Sequence, residues 1–240
     1  MRIIFEGTSH GVPEAHKKCA CTRIEVGGRN YFIDAGCDLA QVLADKRIPF
    51  ESVSGIFITH SHMDHSVGLL PFYAITSWYY KESDPPVYVP GENLVGLVKH
   101  FFEAYGYELR PTQKLEVVRE GTFFDDGVLK VTAIKTMHAP DSRAFLVEAE
   151  GKRILFSGDI KGPGIDFPDV YDIDAAVLEG AHLWVNDYVD EIKKHNIRSV
   201  YINHYGNYRG RPNSERFVYL RNAIDPIPAM LTTDGAEITL

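Results

Sequence analysis

Gly55-Ile56-Phe57-Ile58-Thr59-His60-Ser61-His62-Met63-Asp64-His65 runs from a short apolar stretch straight into three histidines and a carboxylate. Imidazole and carboxylate are the side chains that bind catalytic divalent metals, and such a density of them is hard to explain as packing. The residues before Thr59 read as a buried strand and those from Ser66 onward as a helix. The cluster therefore falls on a strand-to-helix turn, where a sheet presents functional groups to a cleft.

Outward from this turn, β-branched or aromatic runs recur at 2–6, 22–26, 30–33, 55–59, 87–89, 128–134, 144–149, 152–157, 175–178 and 199–203. Helical patterns lie between some of them, at about 38–46, 66–80, 92–105, 184–195 and 214–223. Asn213-Ser214 is placed to cap the last helix, and Gly27-Gly28 and Asp125-Asp126-Gly127 read as hairpin turns. With no repeat, linker or low-complexity tract, residues 1–240 are expected to form one layered α/β domain with mixed sheets.

Composition narrows the function classes. Apolar residues at 45% and charged residues at 24% suit a globular protein with a sizeable core. No run approaches the roughly 18 apolar residues of a membrane span. Met1 to Glu6 enters a strand pattern directly, without a signal-peptide layout. Three cysteines do not suggest a disulfide scaffold, so a reducing cytoplasm is the expected compartment. The net charge of −8 argues against a broad nucleic-acid footprint but not against a small anionic substrate, because two divalent cations would leave the pocket locally positive.

Three further candidate ligands each follow a strand-like run: His138 after 131–134, Asp159 after 153–158 and His204 after 200–203. With His-x-His-x-Asp-His at 60–65, this order resembles the metallo-β-lactamase-fold hydrolases, as does Asp34 within Phe32-Ile33-Asp34-Ala35-Gly36. The resemblance implies an αββα four-layer sandwich with two mixed sheets and two metal ions at one edge. It implies that His60, His62 and His138 hold one ion, that Asp64, His65 and His204 hold the other, and that Asp159 bridges them. Zn²⁺ is the leading candidate, with Mn²⁺ or Fe suiting the same donors. Such ions lie about 3.5–4 Å apart, share a hydroxide, and stabilise charge on the attacked group. Asp34 either orients the histidine turn by a hydrogen bond or serves as a turn carboxylate.

Phe5 to Pro13 and Thr233 to Ile238 are similar to the phosphodiesterase branch, which contains ribonuclease Z and the cyclic phosphodiesterase of the carbon–phosphorus lyase pathway. Glu179-Gly180-Ala181-His182 is similar to an acidic-x-x-His segment of the latter, which implies that His182 donates a proton to the leaving alkoxide; Asp64 is the other catalytic candidate. A histidine bonded to backbone is the competing reading. Two features depart from these relatives. Cys19-Ala20-Cys21, with Ile24 and Asn207 at the other positions, does not supply a structural zinc site of three cysteines and a histidine. The ribonuclease Z His-Glu-Ala-Thr motif and a Gly- and Lys-rich tRNA arm are missing, which argues against tRNA.

Arg143 and Arg209, the latter beside Tyr208 and Arg211, are candidates for binding an anion; solvated loop arginines are the alternative. Trp78, Tyr79 and Tyr80 suggest core or interface packing, and His100 and His195 surface positions on helices. The leading expectation is hydrolysis of a small, cyclic or nucleotide-derived phosphodiester. A lactonase or other carbonyl-ester hydrolase is the alternative, and a non-catalytic metal-binding domain the third. No membrane partner is expected, and a homodimer is left open.

Overall fold

In the computed structural model, which describes residues 1–206 and 213–240, two seven-stranded sheets pack face to face. The first contains β1 (Arg2–Gly7), β2 (Cys21–Val26), β3 (Arg29–Ile33), β4 (Val53–Phe57), β5 (Val87–Val89) and β6 (Leu115–Val117) in chain order. The second contains β7 (Gly121–Asp125), β8 (Lys130–Lys135), β9 (Arg143–Ala149), β10 (Lys152–Phe156), β11 (Ala175–Glu179), β12 (Val200–Asn203) and β13 (Ala229–Leu231). The chain then returns to the first sheet as β14 (Glu237–Thr239), antiparallel to β1. Each sheet has an antiparallel half and a parallel half, the parallel pairs being β3 to β6 and β10 to β13.

The strand residues alternate between two burials. Phe5, Ile24, Tyr31, Ile33 and Phe57 point inward against Val131, Phe145, Val147, Ile154 and Phe156, filling the space between the sheets. The alternate residues face helices: Phe32, Ile56 and Ile58 on one side, and Leu146, Leu155, Leu178 and Ile202 on the other. Burial on both faces explains why these strands read as continuous apolar runs rather than alternating ones. Each fully buried side chain of this kind contributes about 1.5–3 kcal/mol.

The outer helices are α1 (Leu39–Lys46), α2 (Met63–Ser66), α3 (Leu69–Trp78) and α4 (Glu92–Tyr105), then α5 (Pro163–Asp166), α6 (Val189–Lys194) and α7 (Asn213–Ala223). With them the layers are αββα, the metallo-β-lactamase fold. Leu94, Val95, Val98 and Phe102 form the buried stripe of α4, which ends at Gly106 in the left-handed conformation, φ 67°. Asp38 caps α1 by accepting from Gln41 N at 3.1 Å. No helix of the described residues is long and apolar enough to cross a membrane.

Local differences from the sequence expectations have tertiary causes. The helix expected over 66–80 is split into α2 and α3 at Gly68, whose N–H is drawn to Ala35 O at 2.7 Å. The helix expected over 184–195 begins as a 3₁₀ turn, Val185–Tyr188, before α6. Trp78, Tyr79 and Tyr80 are exposed, which removes the core half of the core-or-interface expectation, and Tyr80 stacks on Phe50 at 4.0 Å. His195 is buried, not on the surface: its Nδ1 lies 2.7 Å from Val170 O and its Nε2 3.0 Å from Glu191. The side chains of Asn213 and Ser214 lie outside the description.

Candidate metal centre and cleft

Every expected ligand lies beyond the C-terminal end of a strand, and all of these ends open on one edge of the sandwich. β4 leads into the 59–65 turn, β8 into the loop bearing His138, β10 into Asp159 and β12 into His204. The turn carrying the histidines is docked backbone to backbone on the loop after β3. Ala35 N donates to His65 O at 2.7 Å and Ala35 O accepts from Gly68 N at 2.7 Å, while Gly36 N ties the loop to Ala20 O at 2.8 Å. A Cβ on Gly36 would stand 1.8 Å from Asp64 O, and one on Gly68 would stand 1.7 Å from Cys37 O. Only glycine permits either approach.

The seven expected donors converge here in two groups, and Asp159 and His204 also stand with Glu179 and His182 in a third. In the first, His60 Nε2 lies 3.0 Å from His62 Nδ1, and His62 Nδ1 lies 3.2 Å from His138 Nε2. Asp159 Oδ2 completes this group at 3.5 Å from His60 and 3.6 Å from His138. In the second, His204 Nε2 is 3.0 Å from His65 Nε2 and 3.2 Å from Asp64 Oδ2. Asp159 Oδ1 lies 3.5 Å from His65 Nε2, so the two oxygens of one carboxylate face different groups.

These spacings suit a cation. Ligand bonds of about 2.0–2.1 Å in tetrahedral array separate the donor atoms by about 3.3 Å. Ring nitrogens facing one another cannot all be satisfied by protons, because a neutral imidazole carries one. Asp159 Oδ1 and His204 Nδ1, 3.4 Å apart, are both buried without a hydrogen bond among the described residues. Burial and the facing histidines hold His60 and His65 well below the ordinary imidazole range, and burial lowers His138 to about 4. These three rings are therefore held neutral, the form that binds metal. Burial works against ionising Asp64, but the hydrogen bond with His204 and the nearby imidazoles keep its carboxyl low.

Surrounding contacts orient these donors. Asp34, at φ 62°, accepts from Thr59 N at 2.7 Å and holds His65 Nδ1 at 2.8 Å, turning Nε2 toward the centre. Burial pushes the Asp34 carboxyl up to about 7 against the pull of the Thr59 bonds. Thr59 Oγ1 likewise stands 3.1 Å from His60 Nδ1. His204 adopts φ 48°, an uncommon conformation for a residue with a Cβ and one that concentrates at functional sites.

Beside the donors opens a cleft of about 410 Å³, lined by His10, Gly11, Val12, His62, Asp64, Asp159, Ala181, His182, His204 and Gly206. The exposed His182 ring turns Nδ1 toward Glu179 Oε2 at 3.0 Å, so its Nε2 edge points away from that carboxylate. Burial opposes its charging, but the Glu179 bond and charge outweigh this and raise its pKa. Buried Glu179 also accepts from Ile160 N, Ala181 N and His182 N at 3.0–3.1 Å.

Arg143 does not line this cleft. Its guanidinium donates to Ser142 O at 2.8 Å and stands near Lys135, whose pKa burial and Arg143 together lower. Arg209, with Tyr208 and Arg211, lies outside the described residues. Cys19, Cys21 and Cys37 are free thiols. The cleft wall of His10, Gly11 and Val12, and the Glu179 hub, had no assigned role from the sequence. Their signals were the Phe5–Pro13 similarity and the three-residue Glu179–His182 spacing.

Two mixed sheets, flanking helices and this donor order define a protein of the metallo-β-lactamase superfamily. Residues 1–172 match the family model described as Anti-Pycsar protein Apyc1, and the chain belongs to that family. Among curated relatives, ribonuclease Z of Archaeoglobus fulgidus is 26% identical over 157 residues, 65% of this chain and 50% of that protein. The chain spans about half the length of the first such relatives it matches. Among solved structures, a diphosphatase from the PhnP family aligns with TM-score 0.71 at 16% identity, covering 100% of this chain and 97% of that one. Zn²⁺-bound PqqB from Methylobacterium extorquens aligns with TM-score 0.72 at 14% identity, covering 100% of both chains.

Proposed function

We propose that this chain is a phosphodiesterase that uses two divalent cations, Zn²⁺ foremost, to hydrolyse a small phosphodiester of cyclic or nucleotide-derived type. The observation that carries this reading is Asp159, with Oδ2 facing the first donor group and Oδ1 the second. When bound, such a pair of ions supplies activation of water and stabilisation of developing charge. His60, His62 and His138 would hold one ion, and Asp64, His65 and His204 the other. The cleft volume of about 410 Å³ matches a small ligand, and the net charge of −8 disfavours tRNA. Phosphate chemistry is also consistent with relatives named as a ribonuclease and a diphosphatase.

The chain's own residues supply orientation and a proton. Glu179 fixes the His182 ring through Nδ1 and favours its charged form, so the Nε2 edge can deliver a proton to the departing alkoxide. Gly11 and Val12 line the same cleft. The test is turnover of bis(p-nitrophenyl) phosphate and of 2′,3′- and 3′,5′-cyclic nucleotides by zinc-loaded protein, beside a lactone panel. Phosphodiester cleavage with about two ions per chain supports the reading. Lactone turnover without phosphodiester cleavage refutes it.

A further inference from the structure

Asp166 stands outside the donor set, on α5, yet three backbone amides converge on its carboxylate. Oδ2 accepts from Met137 N at 2.6 Å, both oxygens from Lys161 N at 3.0 and 3.1 Å, and Oδ1 from Gly162 N at 3.0 Å. Met137 immediately precedes His138, while Lys161 and Gly162 closely follow Asp159. One side chain thus ties the loop carrying His138 to the turn carrying Asp159.

That tie falls where the first donor group draws on both sheets. His60 and His62 arrive on one turn already docked on the β3 loop, whereas His138 comes from the other sheet, past the end of the β8–β9 ladder. Its loop is anchored by Thr136 Oγ1 to Asp159 O at 3.2 Å, by Asp141 accepting from Ser61 Oγ, and by Asp166. Among these, Asp166 holds the residue adjoining His138 and also grips the segment after Asp159. We infer that Asp166 is a positioning residue that sets His138 against Asp159 and so fixes the affinity of the first donor group for its ion. This rests on the two-ion reading above. The second group shares Asp159 but not His138, and no hydrogen bond of Asp166 reaches Asp64, His65 or His204, so it is affected less. Losing partners of this outer kind weakens metal binding about 10–100-fold.

The experiment titrates full-length apo-protein with Zn²⁺ against a chromophoric chelator, comparing wild type, Asp166→Ala, Asp166→Asn and Asp126→Ala. Asp126 is a control at the opposite end of the sandwich, where it accepts from Val128 N and Leu129 N at 3.0 and 2.9 Å. The expected result is two ions in wild type and one ion weakened about 10–100-fold in Asp166→Ala, with the other within about threefold. Asp166→Asn, which keeps one acceptor oxygen, should recover part of the loss, and Asp126→Ala should leave both affinities unchanged. Two ions of wild-type affinity in Asp166→Ala, or equal weakening of both ions, overturns the positioning role while the two-ion reading stands. Failure of wild type itself to bind two ions overturns both.

Discussion

Gly36→Ala is the substitution whose outcome follows most directly from the geometry. Its methyl would sit 1.8 Å from Asp64 O and 2.9 Å from Ala20 N, where Cβ contacts essentially never fall below 3.0 Å. Both obstacles are backbone, so no rotamer relieves them, and the 34–37 loop must part from the histidine turn by about 1.2 Å, the shortfall at Asp64 O. That movement weakens the Ala35–His65 and Gly36–Ala20 bonds, at about 1 kcal/mol each, and overpacking adds about 1–3 kcal/mol. The expected destabilisation is about 3–5 kcal/mol, a large share of a typical domain's stability. Because Asp64 and His65 ride on the displaced backbone, zinc affinity should weaken about 10–100-fold even at temperatures where the variant remains folded. Urea denaturation and zinc titration measure the two effects. Gly96→Ala is the matched control: this exposed position in α4 has nothing within 4 Å of a new Cβ, so it should gain about 0.5–1 kcal/mol. Gly36→Ala within about 1 kcal/mol of wild type and with full zinc affinity would refute the close-approach reasoning.

Three further outcomes are expected. Asp34→Ala leaves His65 Nδ1 and Thr59 N without their acceptor and should weaken zinc binding about 10–100-fold, with Asp34→Asn intermediate; unchanged affinity in a calorimetric titration would count against this. His182→Ala should retain both ions yet lower kcat on a poor leaving group by about 10²–10⁴-fold, and full turnover would remove the proton-donor role. Asp126 should shape acid stability: burial opposes its ionisation, but bonds from Tyr31, Leu129, Val128 and Arg29 hold its carboxyl below the ordinary range. Its contribution is therefore present above pH about 4 and lost as pH falls through the depressed native value, so Asp126→Asn should flatten that part of a stability–pH curve measured by urea melts.

The centre was legible in the sequence because its donors are dense at 60–65 and because His138, Asp159 and His204 each end an apolar run. Strands buried on both faces gave strong signals, whereas β6, β13 and β14 are three-residue strands with half-exposed patterns and went unseen. β7 was also missed, since Gly121-Thr122 opens it with exposed residues. The break at Gly68 could not be read locally, because it depends on Ala35 and Cys37 from another loop. His195 looked like one more polar helix residue until Val170 and Tyr171 covered it. A carboxylate bonded to loop amides, such as Asp166, carries no periodic signature at all. Arg143 shows the converse: closeness to His138 along the chain did not bring its guanidinium into the cleft.

The seven donors divide between the sheets, with His60, His62, Asp64 and His65 following β4 and His138, Asp159 and His204 following strands of the second sheet. A cation held among them is a rivet through the open end of the sandwich, joining parts of the chain that share no ladder there. Separating the sheets at that end strips the ion of part of its coordination, so opening releases it. The rate at which a bound ion escapes is then a ceiling on how fast that end of the protein opens, and isotope exchange of zinc would time a motion of the whole fold.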